Sequence, residues 1–353
     1  MTLQHKTKAF AELGKFLGQF AGETSVKSPG VLHNDLFYDR MVAEISLSQS
    51  RNGWFTLEQV RFALHSWAKA LTVDNLDRWL AGYQIPDNPA PKTVGLILAG
   101  NIPLVGFHDF LSVLVTGNTA LVRLSSADQK LLPLLAEYLI AAEPDFAGNI
   151  SFSDQKLEGF DAVIATGSNN TSRYFEYYFR NVPAIIRKNR NSVAVLTGDE
   201  TREELVALGE DIFRYFGLGC RNVSKLFVPE GYNFDVFFDA MYEYRGVIEY
   251  EKYGNNYDYN KAVFLMSRYE LLDNGFMTIK EDKSYASPIS SVFYEYYKSL
   301  PEVLERLAND RDQIQCVVTA ANLEGSVEFG KAQHPGLWDY ADGIDTIKFL
   351  VSL

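Results

Sequence analysis

TVGLILAGNIPLVGFHDFLSVLVTGNTALVRLSS, residues 93–126, sets two short apolar runs on either side of a segment with helical spacing. Residues 94–98 read as a buried strand, 104–115 as a helix and 120–124 as a second strand. Strands that are apolar on both faces, joined through a helix, belong to a parallel sheet covered on both sides. The polar residues fall where the strands stop: Gly100 and Asn101 after the first, Arg123, Ser125 and Ser126 at the second. In open parallel sheets ligands bind outside the carboxyl ends of the strands, so these are candidate ligand contacts.

The alternation continues downstream. Residues 129–142 read as a helix, 162–165 as a strand running into Thr166-Gly167-Ser168, 170–180 as a helix, and 184–187 and 193–196 as strands. The fold class predicted is α/β, with a doubly wound, Rossmann-type sheet. Upstream, residues 1–85 read as helical; Thr56-Leu57-Glu58-Gln59 is a capping-box start, followed by Val60, Leu64, Trp67 and Leu71 at helical spacing. The run IPDNPAP, residues 85–91, cannot continue a helix and reads as a connector. Past the sheet, Thr201-Arg202-Glu203-Glu204 is a second capping box, 225–228 a strand, 233–245 a helix and 250–259 a tyrosine-rich stretch. Residues 285–308 read as helix-like with an interruption at Pro288, 315–319 as a strand, and 343–353 as a terminal strand.

Bulk properties exclude several classes. The chain has 353 residues, 47% of them apolar, enough for a full core and more than one domain. A formal charge of −12, with no long basic run, argues against a nucleic-acid surface. The two cysteines, Cys220 and Cys316, match no zinc spacing and no disulfide framework, which fits a reducing, cytoplasmic setting. No stretch approaches the roughly 20 continuous apolar residues of a membrane span, and the first residues lack the pattern of an export signal.

The chemistry points to FGLGCRNVSKLFV, residues 216–228. Gly217 and Gly219 permit backbone conformations that other residues resist, so the Cys220 thiol is expected on an exposed turn with N–H groups beside it. A thiol presented in that way is a nucleophile for carbonyl carbon. The competing reading is a small buried cysteine behind a glycine cap. An oxyanion formed by attack needs fixed donors; the Asn101 amide and the Cys220 N–H suit the task, although an asparagine after a strand also satisfies its own turn. His108 and Cys316 read as packing and His334 as a turn residue. The tyrosines at 250, 253, 257 and 259 suit a half-buried surface, and Arg221 and Lys225 are near enough in sequence to influence the thiol.

Five blocks, TVGLILAGNIPLVGFHD (93–109), VTGNTALVRLSS (115–126), FDAVIATGS (160–168), NSVAVL (191–196) and GLGCRNVSKLFVPEGY (217–232), run in one order with a weaker echo at Ser287-Pro288-Ile289. Their order resembles the aldehyde dehydrogenase superfamily, most closely its fatty acyl-CoA reductase branch, the bacterial luminescence reductases. The resemblance implies Cys220 as the nucleophile that becomes an acyl-thioester and Asn101 as an oxyanion donor. It implies Gly167 and Ser168, after Thr166, as the turn that receives a cofactor diphosphate, and Arg123 where relatives have a ribose-contacting lysine. The implied domains are a helical segment over 1–90, a dinucleotide-binding domain over 91–190 and a catalytic domain over 191–325. A tail over 326–353 would return to the cofactor domain or to an oligomer interface.

Two departures sharpen the expectation. Oxidising relatives carry a water-activating glutamate where this chain has Arg187-Lys188-Asn189-Arg190-Asn191, and without that base exchange with a thiol is favoured over hydrolysis. Near 284–288, serine and alanine stand where many relatives clasp the nicotinamide ribose with a glutamate. The second strand ends Val122-Arg123-Leu124-Ser125-Ser126, with no acid before Asp128, which suits a 2′-phosphate and favours NADPH over NADH. The expected activity is NADPH-dependent reduction of an acyl-CoA or related thioester to the aldehyde, with coenzyme A leaving, in a homo-oligomer. The alternatives are an acyl-phosphate reductase, a cysteine acyltransferase or thioesterase without nucleotide, and a non-catalytic interaction subunit.

Overall fold

The alternation read from residues 93–126 becomes one of two sheets in a computed structural model that describes residues 1–87 and 90–353. Residues 88 and 89 of the proline-rich connector lie outside the described residues. Two compact units result: Met1–Lys188 together with Gly336–Leu353, and Asn189–Pro335.

The first unit begins with four helices, α1 (Leu3–Gly18), α2 (Asn34–Arg51), α3 (Leu57–Ala70) and α4 (Val73–Leu80). Thr2, Thr56 and Thr72 start α1, α3 and α4 by accepting the N–H three residues on, which satisfies donors that a helix leaves open at its start. There follow β1 (Thr93–Ile97), α5 (Phe107–Val115), β2 (Thr119–Arg123), α6 (Leu131–Ala142), β3 (Ile150–Phe152), β4 (Ala162–Thr166), α7 (Asn169–Tyr178) and β5 (Ala184–Arg187). All five strands are parallel, in the order β3-β2-β1-β4-β5. Sequence neighbours thus wind outward in both directions from β1, and the order reverses between β1 and β4. The doubly wound sheet expected from sequence is present. Phe10, Phe16, Leu64, Leu96, Phe107 and Leu135 share one core, so the helical N-terminal segment packs on the sheet unit.

The second unit holds β6 (Asn191–Val195), α8 (Arg202–Phe213), β7 (Val223–Pro229), α9 (Phe234–Met241), α10 (Glu251–Met266), β8 (Leu272–Asp273), β9 (Thr278–Glu281), β10 (Ser291–Tyr297), α11 (Leu300–Asn309) and β11 (Ile314–Val318). Its six-stranded sheet runs β11-β6-β7-β10-β9-β8, parallel except where β8 meets β9. A last helix, α12 (Thr346–Val351), belongs to the first unit.

Several expectations are corrected. Residues 285–308 are not one interrupted helix: SVFYEYY forms β10 between β7 and β9, and only the segment after Ser299 is helical. Aromatic and β-branched side chains suit a pleated surface, and Pro288 marks the turn into the strand. Residues 343–353 are not a strand, because Asp345 accepts the Lys348 N–H at 2.8 Å and starts a helix. Ile347 and Leu350 then face the core three residues apart. Short apolar runs fit either state until such a cap decides. The helix expected over 104–115 starts at Phe107, after a left-handed Leu104 (φ 57°). That expected over 233–245 is α-helical only to Met241, and the tyrosines of 250–259 lie along the start of α10.

Candidate active site

β2, β1 and β4 are adjacent and parallel, so the segments after them emerge on the same edge of the first sheet. This brings Gly100, Asn101, Arg123, Ser125, Ser126, Thr166, Gly167 and Ser168 to one side, flanking the point between β1 and β4 where the strand order reverses. Gly100 is pressed against the next loop: a Cβ there would lie 2.7 Å from both Cβ and Oγ of Ser125. The same two loops are joined by the Leu104 N–H, which donates to Asp128 Oδ2 at 3.1 Å. Burial pushes the Asp128 carboxyl above its usual range. Asn101 and Arg123 are exposed.

Gly167 ends the β4 segment with its N–H donated to the Arg187 carbonyl at 3.3 Å. A Cβ at Gly167 would meet Thr171 and Phe175 at 3.0 Å, so the turn packs closely on the helix behind it. Ser168 caps α7, its Oγ accepting the Thr171 N–H at 3.3 Å. The result is a tight strand–turn–helix with the positive end of α7 at the sheet edge, a setting that favours an anion. The groups at this edge that suit a dinucleotide are the N-terminal end of α7 at Ser168 and the Arg123 cation at the end of β2, while Gly100 and Gly167 let the loops beside them pack closely.

In the second unit the chain reaches Cys220 from α8, which starts with the capping box Thr201–Glu204 as expected. The helix ends in a strained passage. Tyr215, Phe216 and Gly217 have φ of 52°, 57° and 78° in succession. For two aromatic residues that conformation costs roughly 1–2 kcal/mol each. The expectation that Gly217 and Gly219 supply the unusual backbone is met only at Gly217; Tyr215 and Phe216 carry the rest. A tight turn over residues 219–222 follows, closed by the Asn222 N–H to the Gly219 carbonyl at 3.0 Å, and Cys220 stands exposed on it.

Side chains that sequence reading missed hold this turn. Asn222, 2% exposed, accepts the Gly219 N–H at 2.8 Å, and its Nδ2 shares two protons among the carbonyls of Asp211, Ile212 and Arg214 at 3.1, 3.3 and 2.7 Å. Ser192, fully buried on β6, donates its hydroxyl to the Cys220 carbonyl at 2.9 Å. That hydroxyl has one proton, so the Cys316 thiol, 3.0 Å from Ser192 Oγ, is the donor there. Cys316 is therefore a link in this chain rather than inert packing. A small cleft of about 30 Å³ opens beside the strained residues, lined by Phe216, Gly217, Ser224, Tyr253, Ser287 and Ser291.

The other candidates are placed as follows. Lys225 is buried on β7 against Glu295, 3.0 Å away, and donates to the Asp282 carbonyl, so its charge is spent within the sheet. Arg221 donates Nε to the Ala332 carbonyl at 2.5 Å. The segment carrying Ala332 is also held by Asp211, whose carboxylate accepts the Gly330 and Ala332 N–H groups at 2.7 and 2.9 Å. Tyr250 stacks on Phe216 with ring centroids 4.8 Å apart, Tyr253 is buried, Tyr257 donates to Asp273, and Tyr259 is exposed. In the first unit His108 is held by the Leu337 carbonyl at 2.8 Å, and burial lowers its pKa.

Residues 67–237 match the acyl-CoA reductase (LuxC) family. Over 217 residues the chain is 22% identical to long-chain acyl-protein thioester reductase 2 of Photobacterium leiognathi, covering 56% of this chain and 45% of that protein. It thus spans about half the length of the curated relative it matches. Aldehyde dehydrogenase 21 from Physcomitrella patens, solved with its reaction product succinate, matches with a TM-score of 0.67 at 12% identity, covering 100% of this chain and 84% of that one. An E. coli NADP dependent enzyme matches with a TM-score of 0.62 at 15% identity, covering 92% and 79%. The aldehyde dehydrogenase fold expected from sequence is the fold of this chain, and the five sequence blocks lie inside the family match. Among the described residues, no helix is long and apolar enough to cross a membrane.

Proposed function

We propose, for a chain with the fold of aldehyde dehydrogenases and a centre that matches acyl-CoA reductases, the reduction of an acyl thioester to its aldehyde through an acyl group carried on Cys220. The observation that carries this reading is the exposed thiol on the turn over residues 219–222, behind a backbone held in a strained conformation. The Cys220 thiolate attacks the thioester carbon, a new C–S bond forms, and the original thiol leaves as its thiolate. The resemblance assigns the oxyanion to the Cys220 N–H and the Asn101 amide, donors of the kind whose loss costs about 10²–10³ in rate.

Gly100, Arg123, Ser125, Ser126, Thr166, Gly167 and Ser168 are the residues that would hold a nicotinamide dinucleotide, with NADPH favoured by Arg123 and the two serines. The chemistry such a cofactor supplies when bound is a hydride for the Cys220 thioester carbon. The hemithioacetal on Cys220 then collapses, returning the thiolate and releasing the aldehyde. No water is activated, in keeping with Arg187 and Lys188 where oxidising relatives have an acid. The P. leiognathi relative is named for acyl-protein thioesters. Coenzyme A is the leaving group proposed here, and an acyl carrier protein the nearest substitute.

Intact-protein mass spectrometry after incubation with short- and long-chain acyl-CoAs, cofactor omitted, tests the reading. One acyl group should appear on Cys220 and be absent from Cys220→Ala. An unmodified wild-type protein, or a variant that still turns over, overturns it.

A further inference from the structure

We propose that Asn222 is a positioning residue for the reaction: its carboxamide clamps the end of α8 to the Cys220 turn and so aims the thiol. The inference rests on the reading of Cys220 as nucleophile, and it adds a residue that the chemistry itself does not touch.

The last carbonyls of a helix have no partner within it. In most helices water or a glycine cap takes them. Here the buried Nδ2 of Asn222 shares its two protons among the Asp211 and Ile212 carbonyls and the Arg214 carbonyl two residues further on. At the same time Oδ1 takes the Gly219 N–H, immediately before Cys220. One planar group therefore spans both ends of the passage through Tyr215, Phe216 and Gly217. Each of those residues is in the left-handed region, and two of them pay a steric cost for it. Strain of this kind persists only where surrounding contacts fix it. Asn222 supplies such contacts from inside the loop through both ends of its carboxamide. Ser192 adds another by holding the Cys220 carbonyl. With the Cys220 carbonyl held by Ser192 and Gly219 pinned by Asn222, the backbone on both sides of the thiol is fixed.

Thiol alkylation separates aim from mere integrity, because iodoacetamide needs a reachable thiolate and little orientation, whereas acyl transfer needs both. In Asn222→Ala, alkylation of Cys220 followed by peptide mass spectrometry over pH 6–10 is expected to stay within about twofold of wild type, with the same pH midpoint. Single-turnover acylation by an acyl-CoA is expected to fall about 10- to 100-fold, and amide exchange at Gly219 to speed up at least about tenfold while β1 is unchanged. Asn222→Asp keeps the acceptor for Gly219 but turns a second oxygen towards the carbonyls that Nδ2 served, so its acylation should fall at least as far as in the alanine variant. Asn222→Ser, with one short donor, should fall between wild type and alanine and serves if the alanine variant does not fold. Unchanged acylation overturns the proposal, and so do acylation and alkylation falling together. If wild-type Cys220 takes no acyl group, the functional reading has failed, and the exchange at Gly219 alone decides whether Asn222 is a clamp.

Discussion

Arg187 Nη2 lies 2.6 Å from Asp109 Oδ1, with the two side chains 5% and 9% exposed. The guanidinium at the end of β5 also donates Nη1 to the Ala341 carbonyl at 2.6 Å and Nη2 to Thr346 Oγ1 at 3.1 Å. One cation thus ties β5, the first turn of α5 and the returning C-terminal segment. Removing one partner of a buried pair leaves the other charge without compensation, at a cost of about 3–5 kcal/mol. Arg187→Met should lower the first thermal transition by on the order of 10 °C. A melt within a degree or two of wild type would show that the pair contributes nothing net.

Gly100 has no room for a side chain. Gly100→Ala sets a methyl 2.7 Å from Ser125 and must push the loop after β1 away from the loop after β2. If those loops hold the cofactor, NADPH affinity measured by tryptophan fluorescence should fall about tenfold, with only a few degrees lost in the melt. Gly82→Ala, where nothing lies within 4 Å, is the control and should change neither.

Burial pushes the Asp211 carboxyl up to about 7, against the lowering by the Gly330 and Ala332 N–H groups and by Arg221, with Glu210 adding to the rise. A carboxyl that holds its proton more tightly folded than unfolded adds stability fully present below the unfolded value near 4. That stability is lost as pH rises towards 7. Asp211→Asn lacks this titration. Its melting temperature relative to wild type should therefore climb by several degrees between pH 4.5 and pH 8. A difference that stays constant with pH would remove Asp211 from the account.

The sheet of the first unit was legible because β1 and β4 are short apolar runs buried on both faces and β2, buried at Ala120 and Val122, repeats the apolar run, each stopped by polar residues. The exposed position of Cys220 on a turn was legible from its glycine flank. Asn222 was not. The carbonyls it serves are eight to eleven residues upstream, a separation that no local pattern marks. Tyr215 and Phe216 were hidden for the opposite reason, since bulky residues are the last expected at positive φ. The errors at residues 285–308 and 343–353 came from short apolar runs that satisfy both periodicities, decided by strand neighbours in one case and by the Asp345 cap in the other.

The first unit is built from two pieces of chain with the whole of Asn189–Pro335 between them. Leu337 offers its carbonyl to His108, Tyr340 takes the Trp79 indole N–H, and Thr346 meets Arg187. A nascent chain therefore delivers every residue of the second unit before the first receives these partners. The portion translated first is the portion completed last, and until then His108, Trp79 and Arg187 wait with part of their bonding unmet.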